Sequence, residues 1–220
     1  MLAADGPASG GRAIGAVALD LPGFGATPPP PDGWGSAEYA AAVAAVLDDL
    51  DGPAVVVGHS FGGRVALHLA AAFPDRVGGL LLTGVPQLVR RVPPRGTLAY
   101  RAARRLNRLG VVSDERMEAR RRRSGSADYR AATGVLRDVF VRLMAEDYEA
   151  QLGSIHVPVS MVWGESDTAA PVSMAERAAA LVPGGRAKLE VLSGVGHLTP
   201  TEAPAALRAA LERLLAEVAP

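Results

Sequence analysis

The chain has no cysteine, which excludes disulfides, thiolate metal sites and cysteine nucleophiles. It has no excess of charge of either sign: 23 Lys and Arg stand against 23 Asp and Glu, so net charge points neither to nucleic acid nor to an acidic partner. No apolar run approaches the roughly 18 residues of a membrane span. The opening "MLAADGPASGGRAIG" lacks a basic segment followed by an apolar one, so it does not read as a secretory signal. These absences predict a soluble, cytoplasmic protein without membrane or nucleic-acid partners. What is present is a chain of 220 residues, 49% hydrophobic, the size of one globular domain with a substantial core.

Short apolar runs alternate with longer segments of helical periodicity, the pattern of parallel strands joined by crossover helices. Strands are expected at 14–19 ("IGAVAL"), 54–57 ("AVVV"), 79–83 ("GLLLT"), 158–163 ("PVSMVW") and 187–192 ("AKLEVL"). Helices are expected at 36–50, with Ser36 as N-cap and Tyr39, Val43, Val46, Leu47 and Leu50 on one face, then at 61–73, stopped by Pro74, and at 172–182 and 203–217. Between 85 and 155 no strand appears, and the segment is helical and dense in arginine. Acidic residues such as Asp114, Glu115 and Glu118 dilute that charge, which reads as solvated helix faces. The fold class is α/β, a mostly parallel sheet flanked by helices. Its core comprises 1–84 and 156–220, and 85–155 forms a helical cap insertion.

The stretch "VVVGHSFGGRVAL" carries the chemistry. Gly58-His59-Ser60-Phe61-Gly62 has the G-x-S-x-G spacing between an apolar strand and an amphipathic helix, where a sharp turn exposes the serine oxygen. The glycines Gly58 and Gly62 are expected where a Cβ would clash with the adjoining elements. The backbone N–H of Phe61, at the start of the helix, is the candidate oxyanion donor.

A serine nucleophile needs a base and a carboxylate. Of the four histidines, His59 is expected to point away from Ser60, His68 to sit on the helix surface and His156 to lie at the wrong end of a strand. His197, in "LSGVGHLTP" after the last strand, is the candidate base. Asp167, in "GESDTAAP" after the "PVSMVW" strand, is the candidate acid, with Glu165 as the fallback. Asp20, in "LDLPGFG", reads as a turn stabiliser, Gly23 and Gly25 as turn residues near the mouth of the site, Trp163 as core and Trp34 as loop packing. Phe61 is also placed to line an acyl pocket.

The blocks "LDLPGFGAT", "VVVGHSFGGRVALHLAAAFPDRV", "VWGESDTAAP" and "LSGVGHLTPTEAP" resemble the successive signatures of the α/β-hydrolase superfamily, in its branch of cofactor-free serine hydrolases with a helical cap. The resemblance runs from about residue 14 onward and implies a Ser60, Asp167, His197 triad, no cofactor, no metal and a small-molecule ester substrate. A carbon–carbon bond hydrolase on the same triad is the runner-up, and an impaired hydrolase fold acting as a binding module is the alternative class. The family's earlier strand and His-Gly oxyanion loop are not seen. The sequence is therefore expected to begin late, lacking a central strand beside "AVVV". Either "IGAVAL" moves in to pair with that strand, or its edge stays open to self-association.

Overall fold

The computed structural model describes residues 2–7, 13–89, 105–106, 111, 113 and 132–219. Most of the arginine-dense segment expected as a cap lies outside these residues. None of the described helices is long and apolar enough to cross a membrane.

Four strands form a parallel sheet in the order β3 (Ala54–His59), β4 (Val77–Thr83), β5 (Val159–Gly164) and β6 (Ala187–Leu192). The two central strands read as near-continuous apolar runs because both of their faces are covered. Alternate side chains go to opposite faces: Leu80, Leu82, Met161 and Trp163 join one buried cluster, while Leu81 and Val162 join another. The first face is covered by α1 (Ser36–Leu47), α2 (Phe61–Ala72) and a later helix, Val172–Leu181, through residues such as Tyr39, Leu67 and Ala175. The second is covered by Ala210 and Leu214 of the C-terminal helix Pro204–Val218. Leu80, Leu81 and Leu82 are fully buried, and each such side chain contributes about 1.5–3 kcal/mol relative to exposure.

The first strands depart from expectation. "IGAVAL" forms β2 (Ala13–Ala18), but it pairs antiparallel with β1 (Leu2–Pro7), in register from Leu2 opposite Ala18 to Pro7 opposite Ala13. This hairpin is a two-stranded sheet separate from the parallel one. β1 was not expected because "LAADGP" contains Asp, Gly and Pro, residues depleted in strands. Among the described residues β3 bonds only to β4, so its other edge is unpaired.

Two helices of the insertion are described, α3 (Gly134–Leu143) and α4 (Glu149–Gly153); the helices after them are α5 (Val172–Leu181), α6 (Thr199–Glu202) and α7 (Pro204–Val218). Ser36 is not the N-cap of α1. Gly35 occupies that position, and its N–H donates to Glu38 Oε2 at 3.0 Å. Ser36 is instead fully buried and faces the insertion: its hydroxyl donates to Glu146 Oε2 at 2.7 Å, and the Tyr148 hydroxyl donates to the same oxygen at 2.8 Å. The buried face of α1 consists of Tyr39, Ala40 and Ala44, with Val43 and Leu47 packed beside it, whereas Leu50 lies beyond the helix and is exposed.

Candidate active site

All three candidate side chains leave the carboxyl ends of parallel strands, the edge at which open α/β sheets form their clefts. Ser60 follows β3, Asp167 lies in the turn after β5 and His197 lies in the loop after β6.

Ser60 has φ 49° and ψ −115°, a strained backbone for a residue with a Cβ. Its N–H is anchored to the Thr83 carbonyl at 3.0 Å, across the β3–β4 junction. The turn is tight enough that a Cβ on Gly58 would lie 2.6 Å from Gly63 Cα, and one on Gly63 would run into Val85. A Cβ on Gly62 would meet nothing within 4 Å. The sterically demanding glycines are thus Gly58 and Gly63. The second glycine of the five-residue pattern is not one of them, because its Cα faces open space.

His197 Nδ1 lies 2.9 Å from Asp167 Oδ2, and His197 Nε2 lies 3.2 Å from Ser60 Oγ. An ionised carboxylate only accepts, so Nδ1 carries the ring proton and donates it to Asp167. The lone pair on Nε2 is then free to accept the Ser60 hydroxyl proton. Asp167 is 3% exposed, and its second oxygen, Oδ1, accepts the N–H groups of Ala169 at 2.9 Å and Ala170 at 2.8 Å. Glu165 takes no part: it is exposed and accepts the Ser193 hydroxyl at 2.8 Å.

The remaining candidates fall where their surroundings dictate. His68 meets Tyr148 edge-on at 5.6 Å, and burial pushes its pKa below the ordinary value despite opposing fields from Glu146 and Glu38. His156 is exposed ahead of β5, at the end of the sheet opposite the site. Asp20 accepts the Ala26 N–H at 3.0 Å and so holds the turn that follows it. Trp163 is fully buried and donates to the Ala170 carbonyl at 2.7 Å, while Trp34 packs edge-on against Tyr39. His59 does not point clear of the site: its ring centroid is 5.0 Å from that of His197.

Phe61 opens α2, whose N-terminal turn is the positive end of the helix; within it the Gly63 N–H is taken by the Ser60 carbonyl at 3.1 Å. The Phe61 ring lies 5.0 Å from Tyr39, 5.4 Å from Phe24 and 6.4 Å from Phe140. Phe140 comes from α3, so the insertion reaches the residue beside Ser60. Phe24 and Phe140 gave no signal in the sequence, being isolated aromatics in a loop and on a helix face. Leu198, next to His197, is 55% exposed and adds an apolar edge. Burial in the aromatic cluster pushes the Tyr39 hydroxyl up to about 12. That hydroxyl stays protonated and donates to the Pro22 carbonyl at 2.9 Å.

The alpha/beta hydrolase family profile matches residues 2–210. A 2-hydroxy-6-oxononadienedioate/2-hydroxy-6-oxononatrienedioate hydrolase of Cupriavidus pinatubonensis is 29% identical over 205 residues, covering 81% of this chain and 68% of that protein. Lipase LipV of Mycobacterium tuberculosis is 54% identical over 67 residues, 30% of this chain and 25% of the lipase. The chain thus spans a quarter of one of these relatives and about two thirds of the other. Among solved structures, Est816, described as an N-acyl homoserine lactone degrading enzyme, superposes with a TM-score of 0.63 at 28% identity, covering 88% of this chain and 80% of that one.

Proposed function

The chain belongs to the alpha/beta hydrolase family, and we propose that it is a serine hydrolase that cleaves an ester-like carbonyl through an acyl-enzyme on Ser60, His197 and Asp167. The observation that carries this reading is the continuous path from Ser60 Oγ through the His197 ring to buried Asp167, at 3.2 and 2.9 Å. His197 Nε2 takes the Ser60 proton as Oγ bonds to the substrate carbonyl carbon. Asp167 holds the imidazole tautomer and stabilises the imidazolium. The carbonyl electron pair moves to oxygen, where the Phe61 N–H and the α2 N-terminus favour the negative charge. Collapse of that intermediate breaks the carbon–oxygen bond, and the leaving alcohol takes the proton from His197. Water then enters with the same histidine as base, releasing the acid and restoring Ser60.

The substrate is a small molecule with an apolar acyl part, a reading supported by Phe61, Phe24 and Phe140 clustering beside Ser60. Residues 85–155 act as the cap over it, a division supported by the reach of Phe140 to Phe61. No cofactor enters these steps, and the protein is read as cytoplasmic.

A carbon–carbon bond hydrolase on the same triad is the second reading, favoured by the relative from Cupriavidus pinatubonensis. A panel of p-nitrophenyl esters of increasing chain length, run beside a vinylogous 1,5-diketone, separates the two. Turnover of the esters alone, lost in Ser60→Ala, supports the esterase reading. Turnover of the diketone with negligible ester hydrolysis replaces it with the second. Turnover by Ser60→Ala equal to wild type removes both.

A further inference from the structure

We infer that His59 is a positioning residue for this reaction, seating the His197 ring and fixing the Ser60 backbone through Thr83; the inference rests on the triad reading above. His59 is the last residue of β3, and its Nδ1 lies 3.1 Å from the Thr83 carbonyl oxygen. A carbonyl oxygen only accepts, so this nitrogen carries the His59 ring proton. The same oxygen accepts the Ser60 N–H at 3.0 Å. Two donors from adjacent residues therefore converge on one carbonyl at the end of β4. They hold the chain through the step where Ser60 adopts φ 49°. Such a conformation costs on the order of 1–3 kcal/mol and persists only where its surroundings over-determine it.

The ring has a second task. Gly84, the residue after Thr83, has φ +56°, and a Cβ there would lie 3.0 Å from His59 Cε1, 3.2 Å from His197 Nδ1 and 3.2 Å from the His197 carbonyl oxygen. The bare Cα of Gly84 is thus a shared floor under both imidazoles, whose centroids are 5.0 Å apart and whose planes are inclined by 49°. Asp167 fixes His197 at one atom, and a ring held at one atom can still swing about that bond. His197 is also partly exposed, with 29% of its side chain accessible. The His59 ring and the Gly84 backbone close one side of that arc, keeping Nε2 directed at Ser60 Oγ. Misplacing a reacting group by about 1 Å costs on the order of 10²-fold in rate.

The two contributions separate by substitution. His59→Asn keeps a donor near the Nδ1 position but removes the ring beside His197. His59→Phe keeps a ring and removes the donor, and His59→Ala removes both. The readouts are kcat and KM on p-nitrophenyl butyrate, the second-order rate of labelling by a fluorophosphonate probe, and the thermal midpoint, with assays run well below the midpoint of each variant. We expect His59→Ala to lose about 10- to 100-fold in kcat and in labelling rate, with KM within about threefold. His59→Asn and His59→Phe should each recover part of the loss. Wild-type kcat and labelling in His59→Ala, or a loss that no conservative variant recovers, overturns the role of His59. Ser60→Ala is the control: if it labels and turns over like wild type, it is the triad reading that fails.

Discussion

Asp167 divides its two oxygens between the His197 ring and its own loop: Oδ2 meets Nδ1 at 2.9 Å, while Oδ1 accepts two backbone N–H groups. The second set of bonds sets the direction of the first, because a carboxylate fixed by Ala169 and Ala170 presents its remaining oxygen in one orientation.

Asn at 167 separates orientation from charge. Its Oδ1 can keep the Ala169 and Ala170 bonds, but its amide nitrogen then faces His197 Nδ1 as a donor. The imidazole proton must move to Nε2, which can no longer accept from Ser60. Asp167→Asn should lower kcat by about 10⁴-fold with little change in KM. A stopped assay on the folded variant, checked by circular dichroism, measures it.

The glycines of the elbow should not respond alike. A methyl on Gly62 meets nothing within 4 Å, and in a helical turn Ala is favoured over Gly by up to about 1 kcal/mol; Gly62→Ala should be neutral or stabilising. Gly58→Ala forces the new Cβ onto the Gly63 backbone, which cannot move aside as a flexible side chain would. Overpacking of this kind costs about 1–3 kcal/mol. Urea denaturation of the two variants against wild type gives both values.

Two carboxylates tie α1 to the insertion, Glu38 through Arg142 and, in the buried part of the contact, Glu146. Glu146 accepts the Ser36 N–H at 3.1 Å, the Ser36 hydroxyl and the Tyr148 hydroxyl. Burial, partly offset by Arg64, pushes the Tyr148 pKa upward, so it remains a donor at neutral pH. Glu146→Leu removes the acceptor of the Ser36 N–H and leaves the Ser36 and Tyr148 hydroxyls only each other, at 2.9 Å, so that one of the two hydroxyl protons also goes unaccepted; each buried unsatisfied group costs about 1–3 kcal/mol. The variant should lose at least about 2 kcal/mol in urea denaturation, and Tyr148→Phe about 1 kcal/mol.

His68 should make the fold acid-sensitive. Its folded pKa is held below the ordinary histidine value of 6.5, chiefly by burial. As pH falls through about 6.5, the unfolded chain takes up the proton first, so unfolding is favoured. The loss continues down to the folded pKa and then levels off. His68→Phe keeps an aromatic ring against Tyr148 and removes the titration. Its unfolding free energy should therefore fall less between pH 7.5 and 5.5 than that of the wild type.

Periodicity revealed β3 to β6 because buried parallel strands are short apolar runs and the helices between them carry a 3.6-residue face. The grouping of Ser60, Asp167 and His197 was legible because all three follow the carboxyl ends of parallel strands, which the topology brings to one edge of the sheet. The β1 strand escaped because backbone pairing, rather than side-chain pattern, defines "LAADGP". Ser36 misled because serine suits both an N-cap and a buried hydrogen bond, and its partner Glu146 lies 110 residues away. The roles of Thr83 and Gly63 were invisible for a related reason: one acts through its carbonyl and the other through the absence of a side chain. The nearness of His59 to His197 depends on a loop 137 residues beyond Ser60, a closeness that local spacing cannot encode.

The most direct test of the account is covalent. Wild-type protein is incubated with a fluorophosphonate probe, digested and mapped by mass spectrometry. The prediction is one adduct on the peptide bearing Ser60, absent in Ser60→Ala and slowed by orders of magnitude in His197→Ala. An unlabelled, folded wild type, or an adduct elsewhere with Ser60 unmodified, would contradict it.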